Sequence, residues 1–342
     1  MEPIVAQLLS VDDPCLRYRT RVRVLGEDPT STGLRRLAAQ VRRSERVTRL
    51  LAGAEACGRH VYSKYCGAHW ALAMLADLGY PPGDRRLMPL RDRVYECWLA
   101  SAHVAERVLE GETPRYKSRP GVPIIDGRAR RCASQEGNAL WSTLALGIAD
   151  ERADQLAANL VRWQWPDGGW NCDRKACATH SSFMESLIPL RALALHGRLR
   201  ACPFSQAAAD RAAEVFLGRR LFRRVTDGSV IREDFTKLHY PCYWQYDVLF
   251  GLKVLGEAGK LDDPRCGEAL DLLAAKRLPD GGFAAEGRHY NVVERPRPGG
   301  SLVAWGSARR GRSNEWVTCE ALSVLRLADR PMDISATGPN AR

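Results

Sequence analysis

Gln164-Trp165-Pro166-Asp167-Gly168-Gly169-Trp170 combines a turn and two aromatic anchors in seven residues. The centre of it, Asp-Gly, is turn chemistry: Asp hydrogen-bonds its own backbone and Gly takes positive φ without steric cost. The dipeptide recurs at Asp126-Gly127, Asp227-Gly228 and Asp280-Gly281, so the four turns lie 41, 60 and 53 residues apart. Each is followed by a polar stretch and then by an apolar, aromatic-rich segment that the spacing predicts to be helical. These segments begin near Ser134, His180, Pro241 and Asn314. A fifth, KYCGAHWALAMLADLG from Lys64, has the same texture without the Asp-Gly.

Segments after the turns, such as FMESLIPLRALAL and YWQYDVLFGLKVL, are apolar around most of their circumference, which implies burial on both sides. Those between them, at about 36–53, 87–110, 150–164, 206–220 and 264–276, are charged and one-sided. Cys266, Ala269, Leu270 and Leu273 trace the i, i+3, i+4, i+7 stripe of a surface helix. Alternating Val/Ile runs are scarce. The chain therefore reads as all-α, with helical hairpins in an array or closed ring. One domain is expected over 1–329, with an N-terminal segment 1–34 packing on it and a mobile tail over 330–342.

The opening stretch also matches the Q-x-x-x-G-x-W core of the QW repeat through Gln164, Gly168 and Trp170, and a degenerate copy runs from Arg277 to Phe283. On these residues the chain resembles the squalene cyclase and prenyltransferase (terpenoid cyclase) superfamily, over roughly residues 35–328. The resemblance implies an α/α toroid of five to six hairpins with inner and outer helices. It also implies a central aromatic-lined cavity for an isoprenoid or similarly apolar small molecule, and cyclase or transferase activity. Gln164 and Trp170 would then be scaffold. The chain departs from the family in having no D-x-D-D acid motif. Ala178 and His180 stand where two of the prenyltransferase zinc ligands would align, and His239 falls one place out of register.

Three constellations carry chemistry. Cys172, Asp173, His180, His239 and Cys242, with Cys177 nearby, are ligand types grouped before neighbouring inner helices; three or four of them would suit a tetrahedral Zn²⁺. His180 and His239 also serve as acid/base candidates, beside Glu136, Asp247 and Glu315, because a carboxyl on a buried helix is costly unless paired or protonated. Trp70, Trp141, Phe183, Tyr243, Trp244 and Trp316 fall in the first turns of inner helices and are expected to line the cavity and bind the substrate.

The net charge is +11, from 51 basic and 40 acidic residues. Of the cations 44 are Arg and 7 are Lys, scattered rather than gathered on a nucleic-acid motif, so no nucleic-acid partner is expected. Arginines near Arg131 and Arg312 precede inner helices and could meet a diphosphate with its Mg²⁺. No transmembrane segment or secretory leader is read, which places the chain in the cytoplasm with its eleven cysteines mostly reduced. Two alternatives to the isoprenoid enzyme remain: a non-catalytic small-molecule-binding or partner subunit on the same toroid, and a zinc-dependent hydrolase or lyase.

Overall fold

A computed structural model describes residues 2–58, 60–109 and 121–330. The expected tail, apart from Arg330, lies outside these residues. Fourteen α-helices run through the described residues in chain order: α1 (Pro3–Ser10), α2 (Pro14–Arg19), α3 (Thr32–Val41), α4 (Glu45–Ala56), α5 (Ala68–Leu78), α6 (Met88–Trp98), α7 (Ser101–Val104), α8 (Ser134–Ala145), α9 (Arg152–Arg162), α10 (Phe183–Arg200), α11 (Pro203–Leu217), α12 (Val248–Glu257), α13 (Gly267–Ala275) and α14 (Glu315–Leu327). The strands are short. β1 (Glu106–Val108) pairs in parallel with β2 (Val122–Ile125), which pairs antiparallel with β3 (Arg128–Ala129). β4 (Asn291–Val292) and β5 (Gly300–Ser301) form a second, two-stranded pair.

The fold is an all-α toroid. Its inner ring runs α5, α8, α10, α12, α14 and closes through α2 with the π-helical turn Thr20–Val24, which packs against both α14 and α5. The N-terminal segment is thus the sixth inner helix rather than an appendage. All eleven residues of α5 are buried, and α10 is buried from Phe183 to Ala194 apart from Met184. The outer layer consists of α3 against α2, α4 against α5, α6 and α9 against α8, α11 against α10, and α13 against α12.

Two predicted outer helices are shorter than their stripes suggested. The one over 36–53 breaks between α3 and α4, where the Ser44 hydroxyl accepts the Val47 N–H and starts a new helix. The one over 87–110 stops after Trp98, and the chain turns through α7 into β1. The inner helix expected from Pro241 starts only at Val248. Residues 241–247 form a loop in which Tyr243 has φ 51°, and Asp247 caps α12.

The Gln164–Trp170 turn ties outer helices together. Gln164 Nε2 donates to the carbonyls of Gly168 (2.7 Å) and Ala208 (2.8 Å), the latter on α11, and Arg211 donates to its Oε1. Trp170 is fully buried and its indole N–H reaches Leu160 O at 2.9 Å. Gly168 sits at φ 98°, where a Cβ would strike the Arg211 carbonyl. Asp167 accepts both the N–H and the hydroxyl of Ser181, which sets the entry to α10. No helix among the described residues is long and apolar enough to cross a membrane.

Candidate functional site

The starts of α5, α8, α10 and α12 gather at one end of the ring, the mouth. In the loop before α12, three residues converge. Asp247 Oδ1 accepts the Phe250 N–H (2.7 Å); its Oδ2 accepts the His239 N–H (2.8 Å) and lies 2.7 Å from His239 Nδ1. His239 Nε2 is left buried without a hydrogen-bond partner. Ligand atoms of Cys242, His239 and Asp247 all lie within 4.8 Å of one another. Burial pulls the His239 imidazole down, but Asp247 more than offsets this and holds it above its ordinary value. Burial pushes the Cys242 thiol well up. The His289 ring meets His239 edge-on, with centroids 4.4 Å apart; partial burial and His239 press it down to about 4.

A second cluster stands at the starts of α8 and α10. Cys132, Cys172 and Glu185 bring their ligand atoms within 4.8 Å. Beside it Glu136 is fully buried, bound by Arg131 Nε at 2.7 Å and 3.3 Å from His103 Nε2, while its Oε2 has no partner. Burial raises both Glu136 and Glu185 above the usual carboxylate range despite Arg131.

The ring interior differs from the apolar cavity expected. The void bounded by Trp141, His239, Cys242, Tyr243 and Lys253 measures about 20 Å³, room for one water and not for a polyene. Its floor is ionic. Lys253 Nζ lies 2.6 Å from Asp77 and 3.1 Å from Glu320; Arg191 lies 3.2 Å from Asp77 and 2.5 Å from Glu257; Arg19 pairs with Asp77 and Glu320. Burial lowers Lys253 to about 7.

Among the predicted site residues, His239, Cys242 and Asp247 come together, whereas Cys172 joins a different group. Asp173 and His180 are exposed and belong to neither: Asp173 caps its own turn onto the Lys175 N–H, and His180 offers its carbonyl to Asn171. Glu315 stands half-buried in the first turn of α14. Of the six aromatics, Trp141 and Tyr243 line the void. Trp70 packs among Tyr62, Tyr65 and Tyr243. Phe183 points to Phe216 of α11, and Trp316 stacks on Tyr240 beside Arg46 of α4. Trp244 lies under Lys64. Cys132, Tyr62 and His289 escaped the sequence reading. The available signal for Cys132 was a cysteine in the polar stretch before an inner helix, as at Cys172 and Cys242.

No protein-family model matches the chain, and no curated protein does either. Among solved structures, the chain is similar to unsaturated glucuronyl hydrolase from Bacillus sp. GL1, which is responsible for the degradation of glycosaminoglycan. The identity is 17% and the TM-score 0.46, over 92% of this chain and 84% of that one. A likeness so distant assigns no activity. The expected kinship with squalene cyclases and prenyltransferases is corrected by these findings: no family model matches, and the solved structure named above is a hydrolase. The isoprenoid cyclase or transferase reading falls with it, and the charged interior is the physical reason. A QW-like turn is helix-to-helix carpentry that serves a ring whatever its chemistry.

Proposed function

We propose that the chain is a zinc-dependent hydrolase or lyase acting on a polar small molecule at the mouth of the toroid, with His239 and Cys242 holding the metal. One observation carries the reading. Asp247 engages His239 Nδ1, while Nε2 stays buried and partnerless, and His239 and Cys242 both border the void. A carboxylate so placed fixes the tautomer and aims the free lone pair, as it does behind metal-bound histidines. Imidazole and thiolate are zinc ligand types.

Bound zinc would supply an activated water and polarise the bond to be broken. The residues of this chain do the rest. His289, in ring contact with His239 and neutral at pH 7, is placed to take up or deliver a proton. Tyr65 stacks on Tyr243 at 4.0 Å, Gln245 donates to the Tyr65 hydroxyl at 3.0 Å, and Lys64 covers Trp244. The Lys64 ammonium suits a substrate carrying an anionic group, and the ring faces suit the apolar part of it. The small void keeps such a substrate at the mouth, which also favours a second reading, a binding module without catalysis. Nine of the eleven cysteines are free and Cys57 is joined to Cys66 in a disulfide; on the reduced majority we place the chain in the cytoplasm.

Elemental analysis of untagged protein tests the metal. His239→Ala and Cys242→Ala should each lower zinc content by about one per chain; a wild-type content below ~0.2 per chain sinks the reading. Zinc present without turnover of ester, amide or glycosidic substrates would leave the binding module.

A further inference from the structure

We infer that Cys132, Cys172 and Glu185 form a second metal site, for a thiophilic divalent cation of the Zn²⁺ type, independent of the His239 cluster. The three ligands come from three segments: Cys132 lies two residues before α8, Cys172 follows the Gln164–Trp170 turn, and Glu185 is in the first turn of α10. Their donor atoms all fall within 4.8 Å, with Cys172 Sγ 3.5 Å from Glu185 Oε1.

Each segment is pinned without the metal. Glu185 Oε2 accepts the Ser134 N–H at 3.1 Å, which locks the carboxylate of α10 onto the start of α8. The Arg131 N–H donates to Asn171 O at 3.2 Å, which lays the segment carrying Cys132 beside the loop carrying Cys172. The Ser182 N–H donates to Trp170 O at 2.8 Å and closes that loop. A site whose backbone is held by its own hydrogen bonds needs little reorganisation to take an ion. Two sulfurs and one oxygen favour zinc over magnesium or calcium, which demand oxygen shells. Three protein ligands leave one position open. Binding displaces one proton from each thiol to solvent and transfers no electron.

The test uses metal-free full-length protein titrated with Co²⁺, read by thiolate-to-cobalt charge transfer and by equilibrium stoichiometry. Wild type should bind two equivalents if both sites exist. The Cys132→Ser/Cys172→Ser variant should lose one equivalent and its share of the band; His239→Ala/Cys242→Ala should retain them. Should only the second site be real, wild type binds one equivalent, and it vanishes with Cys132 and Cys172 alone, so the two readings fail separately. Unchanged stoichiometry in Cys132→Ser/Cys172→Ser overturns the inference, as does a Cys132–Cys172 disulfide found by mass spectrometry in protein kept under reductant. If the double variant does not fold, Glu185→Gln serves instead. It should weaken cobalt binding at least ~10-fold, and an unaltered affinity counts against the site.

Discussion

The two ends of the ring bury polar groups in opposite ways. At the end opposite the mouth, Arg19, Arg191 and Lys253 face Asp77, Glu257 and Glu320, and every charge has an opposite neighbour, though Arg19 Nε makes no hydrogen bond. At the mouth, Glu136 Oε2 and His239 Nε2 are buried with no partner, and two thiols lie beside a carboxyl. Paired burial consolidates a fold. Unpaired burial costs free energy and persists where a ligand or a reaction completes it. The difference separates the part of this interior that holds the ring from the part that can act.

The largest effect should come from breaking the paired end. Arg19→Met leaves Asp77 and Glu320 short of a counter-charge and should lower unfolding free energy by about 3–5 kcal/mol in urea titration. A loss under about 1 kcal/mol would mean that the network is no more than a surface-like pairing. Asp247→Ala comes next. It removes the α12 cap and strands the His239 N–H, for about 2–4 kcal/mol, and it should also abolish metal retention at His239. Gln164→Ala cuts the tie between the turn and α11 and should cost about 1–2 kcal/mol, with metal content untouched. If zinc is lost as well, the turn is more than scaffold.

The smallest effect sharpens the contrast through pH. Burial alone would raise Glu257, but Arg191 overrides it and holds the carboxyl at about 2. Its folded value is depressed, so its contribution is complete above the ordinary value and drains as pH falls toward 2. Glu136 is shifted the other way by burial. Its contribution is present at low pH and is lost as pH rises through its folded value. In urea midpoints between pH 3 and 7, Glu257→Gln should flatten the acid limb, whereas Glu136→Gln should lift the high-pH side slightly. Profiles that move in the same direction would erase the distinction between the ends.

Most of the ring was legible from the turns and the fully apolar helices, because an inner helix must be apolar on every side. α2 was not. Arg17, Arg19, Arg21 and Arg23 give its segment a surface look, and only partners far along the chain, Asp77 and Glu320, let Arg19 be buried. The His239–Cys242–Asp247 group was within reach because a single loop of nine residues carries it. The Cys132–Cys172–Glu185 group was not, since its members are 40 and 13 residues apart and meet only when α8 packs on α10. His180 misled for the converse reason: it sits among ligand-type neighbours in sequence, yet its loop turns it outward to solvent.

Ring closure by α2 also sets an order of events. Each hairpin between α5 and α13 can dock on its predecessor as it leaves the ribosome. Arg19 meets Glu320 only when a residue 301 positions later has been made. The first inner helix therefore has Asp77 to pair with early, and waits through nearly all of synthesis for its second carboxylate partner. The seam between beginning and end is the final piece of the architecture to be assembled.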